Sequence, residues 1–193
     1  KRAAARKSDV LDCQWIQQMM MFGLLSGSFR PADALCAVRA VVRLRARLIA
    51  YNKAKVKPAE VPTYESLADA KWKGRVCMRS STNIYNLSLM GAMIDHLGEA
   101  KAEQWAQGVK SNLARDPKGG DTDQLMGVAS GECDLAISNT YYYVRLLRSQ
   151  KPEERQAVEK MGVVLPNQKD RGTHVNVSGA GVLKHAPNRE AAI

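Results

Sequence analysis

The sequence predicts an α/β domain preceded by a helical segment, and three observations carry that expectation. From Arg45 onward, short apolar runs of strand character alternate with stretches of helical period. Turn-forming residues separate the two kinds of run, as in domains that cover a mostly parallel or mixed sheet with helices. Residues 1–44, by contrast, show helical spacing throughout and nothing that reads as a strand.

In residues 1–44 the apolar positions are Val10, Leu11, Trp15, Ile16, Met19 and Met20, then Leu35, Val38, Val41 and Val42. GSFRPAD (27–33) divides them into two helices, with Pro31 and Asp33 as start signals. RLIAYN (47–52) reads as a short strand, KVKPAEVP (55–62) as a linker and TYESLAD (63–69) as a short helix. GRVCMRS (74–80) reads as a strand. NIYNLSLMGAMIDHLG (83–98) predicts a helix with an apolar face of Ile84, Leu87, Met90, Ala92, Ile94 and Leu97, stopped by Gly98. A helix around Trp105 and Val109 follows over 99–113. Residues 121–132 form another, with Asp121 or Thr122 as N-cap. CDLAIS (133–138) is a buried strand, followed by a tyrosine run and a helix through Leu147. Strands are expected within 158–168 and 173–183, the latter running into a glycine-rich bend.

The chain has 193 residues and a net charge of +10, from 29 basic and 19 acidic side chains. Such a balance suits nucleic acid, an anionic ligand or a solvated surface, and the cations are spread along the chain apart from KRAAARK (1–7) and RLRAR (43–47). No apolar run approaches the roughly 18 residues that cross a membrane. Cys13, Cys36, Cys77 and Cys133 show no CxxC spacing. Buried free thiols are the expectation for Cys77 and Cys133, with a disulfide as the alternative in an oxidising compartment. Both ends read as cut, and no secretory signal is visible.

Two loops fall where strands end and helices begin, the position at which open α/β sheets hold ligands. RSSTNIY (79–85) offers Ser80, Ser81 and Thr82 ahead of a helix N-terminus, as caps or as donors to a small anion. SNTYYY (138–143) places Tyr141, Tyr142 and Tyr143 side by side. A phenol ordinarily keeps its proton at neutral pH, with a pKa near 10. A hard, highly charged cation such as ferric iron displaces that proton and makes the phenolate a ligand. Tyr141 and Tyr142 are expected to face one cleft, with Tyr85 as a third oxygen; packing at a surface is the plainer reading of a YYY run. His96, His174 and His185 lack ligand spacing.

KWKGRVCMRSSTNIYNLSL, GGDTDQLMGVASGECDLAISNTYYYVRLL and RGTHVNVSGAGVLKHAPNRE closely resemble bacterial ferric-iron-binding proteins, the periplasmic components of iron(III) ABC importers. The resemblance covers about 45–193. It implies a class II periplasmic-binding-protein-like lobe, incomplete here, from a fold of two lobes that close on the metal. It implies Fe³⁺ held by Tyr85, Tyr141 and Tyr142, with Tyr143 a neighbour. It also implies a synergistic anion such as carbonate near Arg79, Ser80, Ser81, Thr82 and Asn139. The implied partner is an inner-membrane permease, the implied location the periplasm (the cytoplasm if the chain is made as written), and the implied role binding, not catalysis. In the family the first lobe precedes the segment that starts at Tyr51; the expectation here is that it is missing and that iron binding is weakened. In its place, residues 7–45 resemble the end of the catalytic domain of DEDD-class transposases, with Asp9 and Asp12 matching the last two acidic residues. Two carboxylates without upstream partners make a poor Mg²⁺ site. The expectation is a transposase remnant over 1–44 fused to an iron-binding lobe over 45–193, with any DNA contact incidental; a DNA transposase fragment or a non-functional fusion is the alternative.

Overall fold

The computed structural model describes residues 43–178, within which Arg45–Val175 form one compact unit. The elements are β1 (Arg43–Asn52), β2 (Val76–Cys77), α1 (Ile84–Leu97), α2 (Glu99–Ser111), α3 (Asp121–Ser130), β3 (Leu135–Asn139), α4 (Thr140–Leu147), α5 (Pro152–Glu159), β4 (Met161–Val164) and β5 (Val175–Ser178). Three 3-10 turns, Pro58–Glu60, Glu65–Ala68 and Ala70–Trp72, occupy the linker and the expected short helix.

The sheet is mixed, with strand order β2-β3-β1-β4 and β5 pairing β1. β1 runs antiparallel to both β3, with Ile49 opposite Ile137, and β4, with Ile49 opposite Val164. β2 and β3 are parallel, with Val76 opposite Leu135. β1 begins at Arg43, four residues before the expected start, and β2 is shorter than its apolar run suggested.

Because successive strand residues point to opposite faces, each central strand serves two cores. Ile49, Leu135 and Ile137 join Trp72, Leu89, Met93, Trp105 and Val109 on one face, beneath α1 and α2. Leu48, Ala50 and Ala136 join Leu125, Val128, Leu146, Val158 and Met161 on the other, beneath α3, α4 and α5. Burial on both faces explains why 48–50 and 135–137 are unbroken apolar runs, without polar alternation.

Two expectations are corrected here. The buried residues of α1 are Asn86, Leu89 and Met93, whereas Ile84, Leu87 and Ile94 are 46%, 53% and 39% exposed. The helix is turned so that a polar residue enters the interior, which a count of apolar positions does not anticipate. Cys77 and Cys133, expected as free thiols, form a disulfide with a Cα–Cα separation of 5.7 Å. The bond lies in the core shared with α3, where Gly127 passes so close that a Cβ there would sit 3.2 Å from both sulfurs.

Among the described residues no helix is long and apolar enough to cross a membrane. The disulfide joins positions 56 residues apart. Closing a loop of that length stabilises by about 4 kcal/mol in the chain-entropy account. Cys77→Ala/Cys133→Ala is expected to lose most of that stability in urea unfolding, and reduction of the native protein to lower its midpoint likewise.

Candidate metal centre

The residues around the phenols are organised by one buried cation. Arg47 interrupts the apolar run of β1, and its side chain is fully buried. Its Nη1 donates to Asp121 Oδ2 at 2.8 Å and to Asn139 Oδ1 at 3.4 Å, and its Nη2 donates to Asn86 Oδ1 at 2.6 Å. Asp121 Oδ2 also accepts the Asn139 backbone N–H at 2.8 Å, and Oδ1 accepts from Arg79 Nη1 at 3.0 Å. Asn86 donates its amide protons to the carbonyls of Arg79 (2.9 Å) and Ser80 (3.1 Å). The Arg47 carbonyl accepts the Tyr64 hydroxyl at 2.6 Å. Burial pulls the Arg47 pKa below the ordinary guanidinium value against the opposing charge of Asp121. Burial also works against charge on Arg79, but Asp121 and the Tyr142 hydroxyl outweigh it and leave its pKa raised.

Asp121 was expected as a helix cap. Gly120 is the N-cap of α3, and Asp123 accepts the Gly120 N–H at 2.6 Å. That leaves the Asp121 carboxylate in the first turn, where the helix dipole favours negative charge, facing inward to the two arginines.

The tyrosines do not sit in a strand or a turn: they occupy the start of α4, which begins at Thr140 directly after β3. Helical steps spread their rings around the axis. Tyr141 is 38% exposed, and Tyr142 and Tyr143 lean on the core beneath α3, α4 and α5. Tyr85 lies in the first turn of α1, and its hydroxyl stands 3.5 Å from that of Tyr141. The rings of Tyr141 and Tyr142 are 4.0 Å apart, centre to centre. Burial raises the Tyr141 pKa above the ordinary phenol range, and hydrogen bonds to Tyr142 and Tyr85 raise it further. Burial raises Tyr143 as well, with Tyr51 adding to it. Arginines surround the group: Arg45 lies 6.0 Å from the Tyr85 ring and 5.6 Å from the Tyr141 ring, Arg47 5.9 Å from Tyr85, and Arg145 5.6 Å from Tyr142.

The expected anion-binding residues are less uniform. Ser80 and Thr82 bond to each other through their hydroxyls at 2.8 Å, and Ser81 is exposed. The cap of α1 is Asn83, whose side chain accepts the Tyr85 N–H at 3.0 Å. Arg79 is held by Asp121, and Asn139 is fully buried, serving Arg47. His174 Nε2 lies 2.9 Å from Ser88 Oγ, and His96 is exposed near the end of α1. Asp9, Asp12, His185 and the helices expected over 1–44 lie outside the described residues. Sequence reading missed Arg47, Asn86 and the inward role of Asp121. The signals present were an arginine inside an apolar strand and an asparagine on the inward stripe of a helix.

Residues 35–193 match the family model of bacterial extracellular solute-binding proteins. The chain belongs to this family. The match begins ten residues before the resemblance read from sequence motifs. Over 149 residues the chain is 57% identical to iron uptake protein A1 of Synechocystis, covering 77% of this chain and 41% of that one. It is 28% identical to the major ferric iron-binding protein of Neisseria meningitidis, over 77% of this chain and 43% of that one. The chain thus spans less than half the length of these curated relatives. A Trichodesmium protein solved with iron and citrate superposes with a TM-score of 0.72 at 53% identity, over 77% of this chain and 47% of that one. The Bordetella ferric binding protein gives 0.72 at 34% identity, over 91% and 59%. The fold is that of a class II periplasmic-binding-protein lobe.

Removing one partner of a buried ion pair strands the other charge, at a cost of about 3–5 kcal/mol. Asp121→Ala is expected to destabilise the protein by that amount in urea unfolding. Tyr141 and Tyr64, both with pKa values raised chiefly by burial, give a second expectation. A phenol that holds its proton more tightly when folded contributes stability below its unfolded pKa of about 10, lost as pH rises beyond it. The unfolding midpoint of the metal-free protein should therefore fall above about pH 10.

Proposed function

We propose that this chain is the ferric-iron-binding lobe of a solute-binding protein, and that Tyr85, Tyr141 and Tyr142 hold the Fe³⁺ as phenolates. The observation that carries the reading is the convergence of these phenols from two separate helix starts, with hydroxyls of Tyr85 and Tyr141 3.5 Å apart. The names of the relatives, iron uptake and ferric iron-binding proteins, support the choice of cargo.

The chemistry follows from charge. The phenols are mutually hydrogen-bonded and Tyr141 is held protonated, so its hydroxyl is neutral before metal arrives. A trivalent cation repays the loss of each proton, and the surrounding Arg45, Arg47, Arg79 and Arg145 stabilise the phenolates that result. Positions of the ion left open by one lobe are filled by water or by a small anion such as carbonate, held at Arg79 and the Ser80–Ser81–Thr82 turn with Asn139 beneath. Cargo is handed to a membrane permease, the location is the periplasm, and no catalytic step is involved. In the same reading a transposase-like segment over 1–44 leads into the lobe, with the family match from residue 35 and β1 from Arg43 drawing that boundary toward the N-terminus.

Titration with ferric citrate should raise a visible phenolate-to-iron charge-transfer band. Tyr141→Phe/Tyr142→Phe should abolish most of it; an unchanged band would sink the ligand assignment. Metal uptake must release phenol protons, so affinity should rise with pH across the neutral range and weaken on acidification. Competition with citrate at several pH values measures that slope.

A further inference from the structure

The phenols meet from elements that are widely separated along the chain. Tyr85 follows the 79–83 loop on α1, and Tyr141 and Tyr142 follow β3 on α4. Asn86 is the neighbour of Tyr85 in sequence, and Asn139 stands two residues before Tyr141. Both asparagines bond to the same guanidinium, at 2.6 Å and 3.4 Å. That guanidinium is fixed in turn by Asp121, whose Oδ2 also takes the Asn139 N–H. We infer that Arg47, acting through Asn86 and Asn139, is the positioning residue that sets the separation of the two phenol-bearing helix starts.

Three features favour a positioning role over a merely structural one. A buried cation costs more than an apolar side chain of similar size in the same place, so stability alone does not account for an arginine here. The planar fork suits such a role, because Nη1 and Nη2 point to different elements at once, which a single ammonium cannot do. Asn86 shares the buried stripe of α1 with Leu89 and Met93 and bonds to Arg47 there, while Ile84 and Leu87 face outward. That orientation about the helix axis decides the direction in which Tyr85 projects.

The inference rests on the iron reading for its purpose but not for its geometry, and the experiment separates the two. Asn86→Ala cuts the link to α1 and leaves the Arg47–Asp121 pair in place; Arg47→Lys keeps a charge for Asp121 but loses the fork. Crystal structures of metal-free wild type and both variants give the Tyr85–Tyr141 hydroxyl separation, and ferric citrate titration gives the band and the affinity. The separation should widen from 3.5 Å in Asn86→Ala. Iron affinity should fall by about 10–100-fold, the usual cost of losing an outer-shell partner. Arg47→Lys should shift the charge-transfer maximum. A folded Asn86→Ala protein with unchanged separation overturns the inference whatever iron does. An unchanged separation in both variants does so equally. A widened separation in proteins that never show a band upholds the positioning role and removes the iron reading.

Discussion

The contact between Arg47 and Asp121 is the constraint on which the site depends. Both side chains are fully buried, and the pair is completed by Asn86, Asn139 and Arg79. Desolvating two charges is expensive, and it is offset here by bonds from both terminal nitrogens of Arg47, although Arg47 Nε and Asn139 Nδ2 are buried without a hydrogen-bond partner among the described residues. The bonds of the pair are directed to the start of α1, the start of α3 and the end of β3. Two of those, the start of α1 and the end of β3, are the places where the chain leads into the phenols. The polar network lies at one end of the sheet, while both apolar cores secure the rest of it.

The division of labour between cores and network follows from strand parity. β1 and β3 pair antiparallel, so residues of one core on β1 oppose residues of the same core on β3: Ile49 meets Ile137, and Ala50 meets Ala136. A slip of one position would exchange the two cores, so the register is strongly specified. With the register fixed, Arg47 is opposite Asn139, and the end of β3 arrives beside the guanidinium without further adjustment.

Most of the order of strands and helices was legible in the sequence because both cores are built from ordinary apolar runs; α5 was not, because PEERQAVE offers only Ala157 and Val158 to the interior. The three phenols were legible as a group, because rare aromatics clustered after strand-like segments. What escaped was local. The cap of α3 moved from Asp121 to Gly120 because the carboxylate is needed inside. The face of α1 was misread because Asn86 takes an interior place that apolar counting assigns to Leu87. The pairing of Cys77 with Cys133 escaped because both are compatible with plain burial until β2 and the start of β3 are known to lie side by side. In each case the sequence pattern was overruled by a long-range polar or covalent partner.

The disulfide has a bearing on the unfolded chain. Tyr85 follows Cys77 by eight residues, and Tyr141 follows Cys133 by the same number. With the bridge closed, the two phenols stay on short tethers from one covalent junction even when the sheet has melted. A shorter tether raises the concentration at which one end meets the other. The oxidised chain therefore shortens the path between the two oxygens in its denatured ensemble from 56 residues to two arms of eight, and their encounters become more frequent before any strand has paired.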